Sequence, residues 1–553
     1  MILKIGTPIG KFFGAAVLIA ACLVSAARVQ AQAEMKTLAV LSVASIENIL
    51  NNVEYLTEVG SAGDLGRMAK MFAVPYTQGL DNKKPIGFVL QSDGQEFVPL
   101  GFIPVKDLKA TLALLSENLG APRDVGDGIQ EIPSPAQPIF VKEQNGWAFI
   151  GQTVESLKVL PQNPLDQLGK LPTEYDVAIR ATVKNIPAQY REMAITTLKE
   201  GIQQGLAQRS DEDDATYNAR KQLVQAQIEQ IDKFINESDQ LTVGWKVDPA
   251  GKRTYLDFAF TAIPGTEMAQ QLALMGESKT DFAGFFSQDA AMSFNSAAKI
   301  SAEQIEQSAA MLDNLRETAM KEIAKKEDMN AKARQAATEM LSAVMNIFID
   351  TMKTGQMDMG ASLMLQPKAM TFVSGFHVAD GQAVDKLVRR IDELAKGERD
   401  FPGIKFNAAQ QAGVAFHTMS VPIPADEDAR KILGETLDLA VGIGKSSAYF
   451  AVGKDCVAKL QEMITASASQ PQKSIPPFQV VLAATHIMEF VSSIEANPII
   501  TSILEGLKES DGKDHFLIHG LPVENGLIYR LELEEGIIKA AGRAAQMANA
   551  GGF

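Results

Sequence analysis

Cysteine is almost missing from this chain. Among 553 residues only Cys22 and Cys456 occur, so no disulfide framework can hold the fold and burial of apolar side chains must do that work. Cys456 opens a helix-like run beside Val457 and Leu460, which reads as a buried structural thiol. Tryptophan is equally scarce, and Trp147 and Trp245 stand alone in strand-like segments, with no sugar-stacking platform. No Gly-x-Ser-x-Gly turn is present, so an α/β-hydrolase triad has no anchor. No His-Glu-x-x-His run occurs. His515 and His519 are four apart, but on a segment that reads as a strand, where they would stand about 13 Å apart, too far for one ion. Gly442-Ile443-Gly444-Lys445-Ser446 resembles the end of a phosphate-binding loop, yet Leu439 stands where its first glycine is required. Asp211 and Asp213 belong to a charge run that reads as a solvated turn. The residues therefore give no catalytic cluster, cofactor or metal, and the reading leans away from an enzyme.

Positive charge is also short. Lys and Arg number 52 against 67 acids, a formal charge of −15. Such a surface repels phosphate backbones, which excludes nucleic acid as the expected partner, and disfavours anionic lipid head groups. After residue 33 no run is long and apolar enough for a membrane helix.

Residues 1–33 form a targeting segment. Lys4 and Lys11 precede the uncharged run Phe12–Val24, and Val29-Gln30-Ala31 and Ala31-Gln32-Ala33 place small residues where a signal peptidase cuts. The chain is thus expected to be exported, to the periplasm or the medium. Ile19-Ala20-Ala21-Cys22 also resembles a lipobox, which would anchor the protein through Cys22. Loss of this segment removes three cations and no acid, taking the charge from −15 to −18.

The remainder says one structural sentence twice. Leu90-Gln91, Phe97-Val98 and Gly101-Phe102 precede a helix-like run, Val105–Gly120. Leu365-Gln366, Phe372-Val373 and Gly375-Phe376 precede another, Asp380–Gly397. Hairpins recur in the same order, around Ser92-Asp93-Gly94, Asp248–Gly251 and Val523–Gly526. Tyr175–Val183 alternates, with Val177, Ile179, Ala181 and Val183 on one face and Asp176, Arg180 and Thr182 on the other. Leu241, Val243, Trp245 and Val247 alternate likewise, as in a half-buried strand. The expected fold is α+β with two related halves, 34–288 and 289–553, each a mainly antiparallel sheet with helices packed on it. Each half carries a long helical-hairpin insertion, about 187–236 in the first and 301–354 in the second, following different strands.

Ten of the 22 methionines fall between Met311 and Met370. Met345, Phe348 and Met352 form a helical stripe that could receive an apolar ligand or partner; the same spacing also suits core packing. The stretches Leu171-Pro-Thr-Glu-Tyr-Asp-Val-Ala-Ile-Arg, Tyr255-Leu-Asp-Phe, Phe401-Pro-Gly-Ile-Lys-Phe-Asn and His417-Thr-Met-Ser-Val-Pro resemble a family of uncharacterised secreted proteins from planctomycete-type bacteria. The resemblance covers most of the mature chain, implies an envelope location and brings no catalytic motif. The expected function is a non-enzymatic binding or scaffold protein. The alternatives are a carrier of lipid or another apolar ligand, and a hydrolase with its site between the halves.

Overall fold

The computed structural model describes residues 35–550, apart from 134–136, 209–211, 213, 288, 327–328, 399–400, 424–429, 431 and 496. The targeting segment lies outside the described residues.

From the N-terminus the elements are β1 (Lys36–Val43), α1 (Ile46–Val59), α2 (Gly63–Tyr76), β2 (Ile86–Ser92), β3 (Phe97–Pro104), α3 (Leu108–Leu119), β4 (Arg123–Asp124), β5 (Ile129–Ile132), β6 (Ile139–Gln144) and β7 (Trp147–Gly151). Then come α4 (Leu165–Leu168), α5 (Leu171–Glu174), β8 (Val177–Thr182), α6 (Ala188–Gln204), α7 (Asp214–Glu237), β9 (Ser238–Asp248), β10 (Arg253–Ala262) and α8 (Glu267–Met275). The C-terminal part continues with β11 (Lys279–Thr280), β12 (Met292–Lys299), α9 (Ala302–Lys325), α10 (Ala331–Lys353), β13 (Gln356–Gln366), β14 (Ala369–His377), α11 (Gly381–Ala395), β15 (Lys405–Gln411), β16 (Val414–Pro422), β17 (Thr436–Ile443) and β18 (Ser447–Gly453). It ends with α12 (Cys456–Ala468), β19 (Lys473–Ser474), β20 (Phe478–Ala483), α13 (Ala484–Ile494), α14 (Pro498–Lys508), β21 (His515–Val523), β22 (Gly526–Glu534) and α15 (Glu535–Ala550).

The fold is α+β, and the expected pair of sheets is one sheet. All strands but β11 and β19 join a single antiparallel ladder. One flank reads β4-β5-β6-β7-β3-β2-β1-β8-β9-β10. The other reads β15-β16-β17-β18-β14-β13-β12-β20-β21-β22. Strand for strand, the connectivity of the two flanks is the same. They meet where β10 pairs antiparallel with β22, Asp257 opposite Arg530. The join follows from hydrogen bonding: each flank leaves the outer edge of its last strand unpaired, and one edge satisfies the other.

The helices obey the same order. The segments 187–236 and 301–354 are helical hairpins, α6–α7 and α9–α10. Each flank has a second, shorter hairpin in the equivalent place, α1–α2 after β1 and α13–α14 after β20. The long and short hairpins are exchanged between flanks, which is why the insertions follow different strands. Capping fixes several starts: Ser45, Asp107, Ser301 and Asn330 each accept a backbone N–H of the first turn. Helices cover both faces of the outer strands. Leu108 and Leu112 of α3 pack with Val105, Val141 and Ala148 on one face. On the other, Leu168 and Leu171 pack with Val40, Val89, Phe102 and Phe149. Phe282, Phe285, Leu460 and Ile464 form the matching core of the second flank with Val373, Phe416 and Ala451.

Candidate ligand-binding surface

The central strands are patterned inside out. On one face the polar side chains are the buried ones: Asp176 and Asp257 are fully buried, and Glu532 and Glu534 nearly so. They survive there because each is saturated with donors. Asp257 holds the Arg530 guanidinium through two 2.8 Å bonds and accepts the Tyr175 hydroxyl at 3.0 Å. Burial pulls the Arg530 pKa down, but the bonds to Asp257 outweigh it and the net shift is upward. Arg530 also lies over the Tyr255 ring, 3.8 Å from its centroid. Glu532 takes Arg253 at 3.1 and 3.2 Å. Asp176 accepts Asn48, Asn52, Lys246 and the Val247 amide. The Tyr175 ring covers Gly244, where a Cβ would meet it at 2.4 Å.

On the opposite face the side chains are apolar and stay partly open to solvent. Register places them in rows across the sheet. One row runs Phe88, Leu41, Ile179, Val243, Phe258, Tyr529, each paired with the next. Tyr529 pairs with Gly520, over which the Phe478 ring lies; Phe478 then leads through Ser296 to Met359 and Phe376. Phe88, Leu41, Ile179, Tyr529, Met359 and Phe376 are each 36–55% exposed. The adjacent row runs Val43, Val177, Trp245, Leu256, Leu531, Ile518, Val480, Phe294, and all eight are half-buried. The first row crosses eleven strands, about 48 Å at the usual strand spacing. Its middle is aromatic: Tyr529 stacks on Phe260 at 6.1 Å and tilts against Phe478 at 5.3 Å. α8 closes one side of this centre, with Ala269 and Leu272 packed beside Leu527, Phe260 and Phe478.

The alternation at 175–183 and 241–247 therefore has the opposite consequence to the one expected. Its apolar side is partly open at Val177, Ile179, Val243 and Trp245, with only Val183 and Val247 at the ends buried, while on its polar side Asp176 and Thr242 are covered. No sequence signal separates these cases, because alternation sorts residues into faces without saying which face receives the helices. Met345, Phe348 and Met352 lie on α10 as one stripe, Phe348 58% exposed and the two methionines half-buried. The stripe is on a helix and not on the sheet rows, although α10 runs straight into β13, which carries Met357 and Met359.

Among the other singled-out residues, Gly444 and Lys445 occupy the β17–β18 turn, and His515 and His519 lie on β21. Cys456 is buried, and burial raises its thiol to about 11, so it stays protonated and inert. Among the described residues no helix is long and apolar enough to cross a membrane. No family model, curated protein or solved structure matches this chain.

Proposed function

We propose that this is an exported, non-enzymatic binding protein, built by duplication of one α+β unit, that carries lipid or another long apolar ligand on the open face of its central sheet. One observation carries the reading: two adjacent rows of apolar side chains follow the register of the sheet, the longer one interrupted only at Gly520 and Ser296, and none of these apolar side chains is fully covered. A soluble protein ordinarily exposes apolar patches of only a few hundred Å2, and larger ones mark interaction sites. The shape selects the occupant. Two rows are about 7 Å apart along the strands, while the longer row crosses about 48 Å. A slot so narrow and so long suits acyl chains laid across the strands better than a globular partner. The stripe Met345, Phe348 and Met352, with Met357 and Met359, supplies a polarizable rim that adapts to varied chains. The leader-like segment 1–33 supports passage through the envelope, and the matched ladders support duplication.

The test is purification without detergent from a bacterial envelope, followed by native mass spectrometry and organic extraction. Bound lipid is expected. The pair Ile179→Lys and Tyr529→Lys should weaken uptake of a fluorescent fatty acid at least about tenfold, since each buries a charge against the chain. Bare protein with no uptake by the wild type would end the proposal. A second reading, docking on another protein, rests on α2, where Leu65, Met68, Phe72 and Tyr76 share one helical face and are 45–76% exposed. Loss of a co-purifying protein on Met68→Glu, with lipid absent, would favour it.

A further inference from the structure

The two flanks differ on the charged face of the sheet. In the first, residues 152–176 fold back over β1, β8 and β9, and Tyr175 closes the space down to Asp257. In the second, the corresponding chain builds α12 instead. Its Leu460, Met463 and Ile464 pack with Phe282 and Phe285, beside Val373, Ala440 and Ala451 of β14, β17 and β18. The face of β20 and β21 is left open, and a cleft of about 600 Å3 lies over it. That volume is in the range of small-molecule sites, and so is the lining, mostly apolar with a few convergent polar groups.

The strand wall is Val481, Leu517 and Leu521, with His519 between the two leucines and Gln479 paired beside it, and Phe286 and Pro476 complete the lining. At one end stand Lys513, His515 and Glu534. Glu534 is nearly buried and fully engaged. Its Oε2 accepts His515 Nδ1 at 2.7 Å and the His515 amide at 3.0 Å, and its Oε1 accepts the Lys513 ammonium at 3.2 Å. The carboxylate thus fixes the imidazole ring and commits Nδ1 as a donor, which leaves Nε2 for a guest. A second acid, Asp514, stands 3.7 Å from His515 Nδ1, is buried behind it and accepts the Thr485 amide, so both carboxylates at this end are already engaged and what the cleft offers a guest is donors. A cationic guest would meet Lys513 and His515 with no free carboxylate to receive it.

We propose that the cleft binds a small carboxylate with an apolar body, the body on Val481, Leu517 and Leu521 and the carboxylate on His515 Nε2 and the Lys513 ammonium. This site is on the opposite face from the apolar rows and does not depend on them. The bond to Glu534 raises the pKa of His515, which favours the imidazolium, the form in which Nε2 donates.

The experiment is calorimetric titration of the intact protein with 4-phenylbutanoate and with its neutral amide. The carboxylate is expected to bind at least about tenfold more tightly than the amide. The preference should shrink as pH rises through the titration of His515. Lys513→Met, a change at a half-exposed side chain, should remove most of the preference, and Leu517→Trp should block both probes. Ile179→Lys, on the other face, should change neither. Equal binding of acid and amide, binding that survives both Lys513→Met and Leu517→Trp, or loss of binding in Ile179→Lys would each overturn the assignment.

Discussion

Asp257 and Arg530 face each other where the two flanks meet, 273 residues apart in the chain. Asp257 is fully buried and Arg530 half-buried, and each is the main partner of the other's charge. Replacing Asp257 by Ala should cost about 1–3 kcal/mol in urea unfolding, because the half-buried Arg530 and the Tyr175 hydroxyl then lose their acceptor. Replacing both by well-packed apolar residues should cost much less. The pair His515–Glu534 makes a pH-dependent contribution whose sign follows from its shifts. His515 is raised above its ordinary 6.5 by its bond to Glu534, so its share of stability is complete below 6.5 and is lost as pH climbs through the folded value. Burial pushes Glu534 up, but its bonds from His515 win and it ends below its ordinary 4.5; its share is complete above 4.5 and is lost on acidification. The stability gap between wild type and His515→Gln should therefore be widest between 4.5 and 6.5 and narrow as pH climbs through the folded titration of His515. Burial lowers His519, which acts in the opposite direction in both proteins and cancels in the difference. None of these pairings was legible in the sequence, since each joins residues brought together only by the ladders.

At the scale of elements, the long helical hairpins were legible because their charged and apolar positions alternate at helical spacing over some 50 residues. The helix α2 was not. It contains Gly63, Gly66 and Pro75, residues that break helices in isolation. Packing explains Gly66: a Cβ there would meet the Thr57 hydroxyl at 2.1 Å and the Glu54 backbone at 2.8 Å. The same logic governs α15, which crosses α1 so closely that a Cβ on Gly542 would lie 2.0 Å from the Gly60 carbonyl oxygen. Backbone cannot yield as a side-chain tip can. Gly542→Ala should therefore lower stability by about 1–3 kcal/mol, read as a fall in the urea midpoint with unchanged slope. An unchanged midpoint would mean that the helix slides without penalty.

At the scale of the molecule, the Leu-Gln, Phe-Val, Gly-Phe echo pointed to two related units, and the ladders of the two flanks do match strand for strand. What the echo could not show is that the units share one sheet, because the joining strands β10 and β22 carry no mark distinguishing an edge from an interior strand. Continuity has a thermodynamic signature. Scanning calorimetry should give a single main transition, since neither flank can melt without exposing a strand edge and either the buried Asp257 carboxylate or its half-buried partner Arg530. Two well-separated transitions in the wild type would contradict this, whereas Asp257→Ala is expected to pull the flanks' melting apart.

The β10–β22 junction also sets a timetable. β22 follows β10 at a distance, so β10 waits through some 260 residues of synthesis for its neighbour. During that interval its edge is bare, with Leu256, Phe258 and Phe260 beside it. Pairings so distant in sequence form late and slowly, and an unfilled edge of this kind recruits other chains. The nascent chain is consequently most vulnerable to misassembly in the interval before β22 is made, and a holding chaperone would matter most until residues 526–534 emerge.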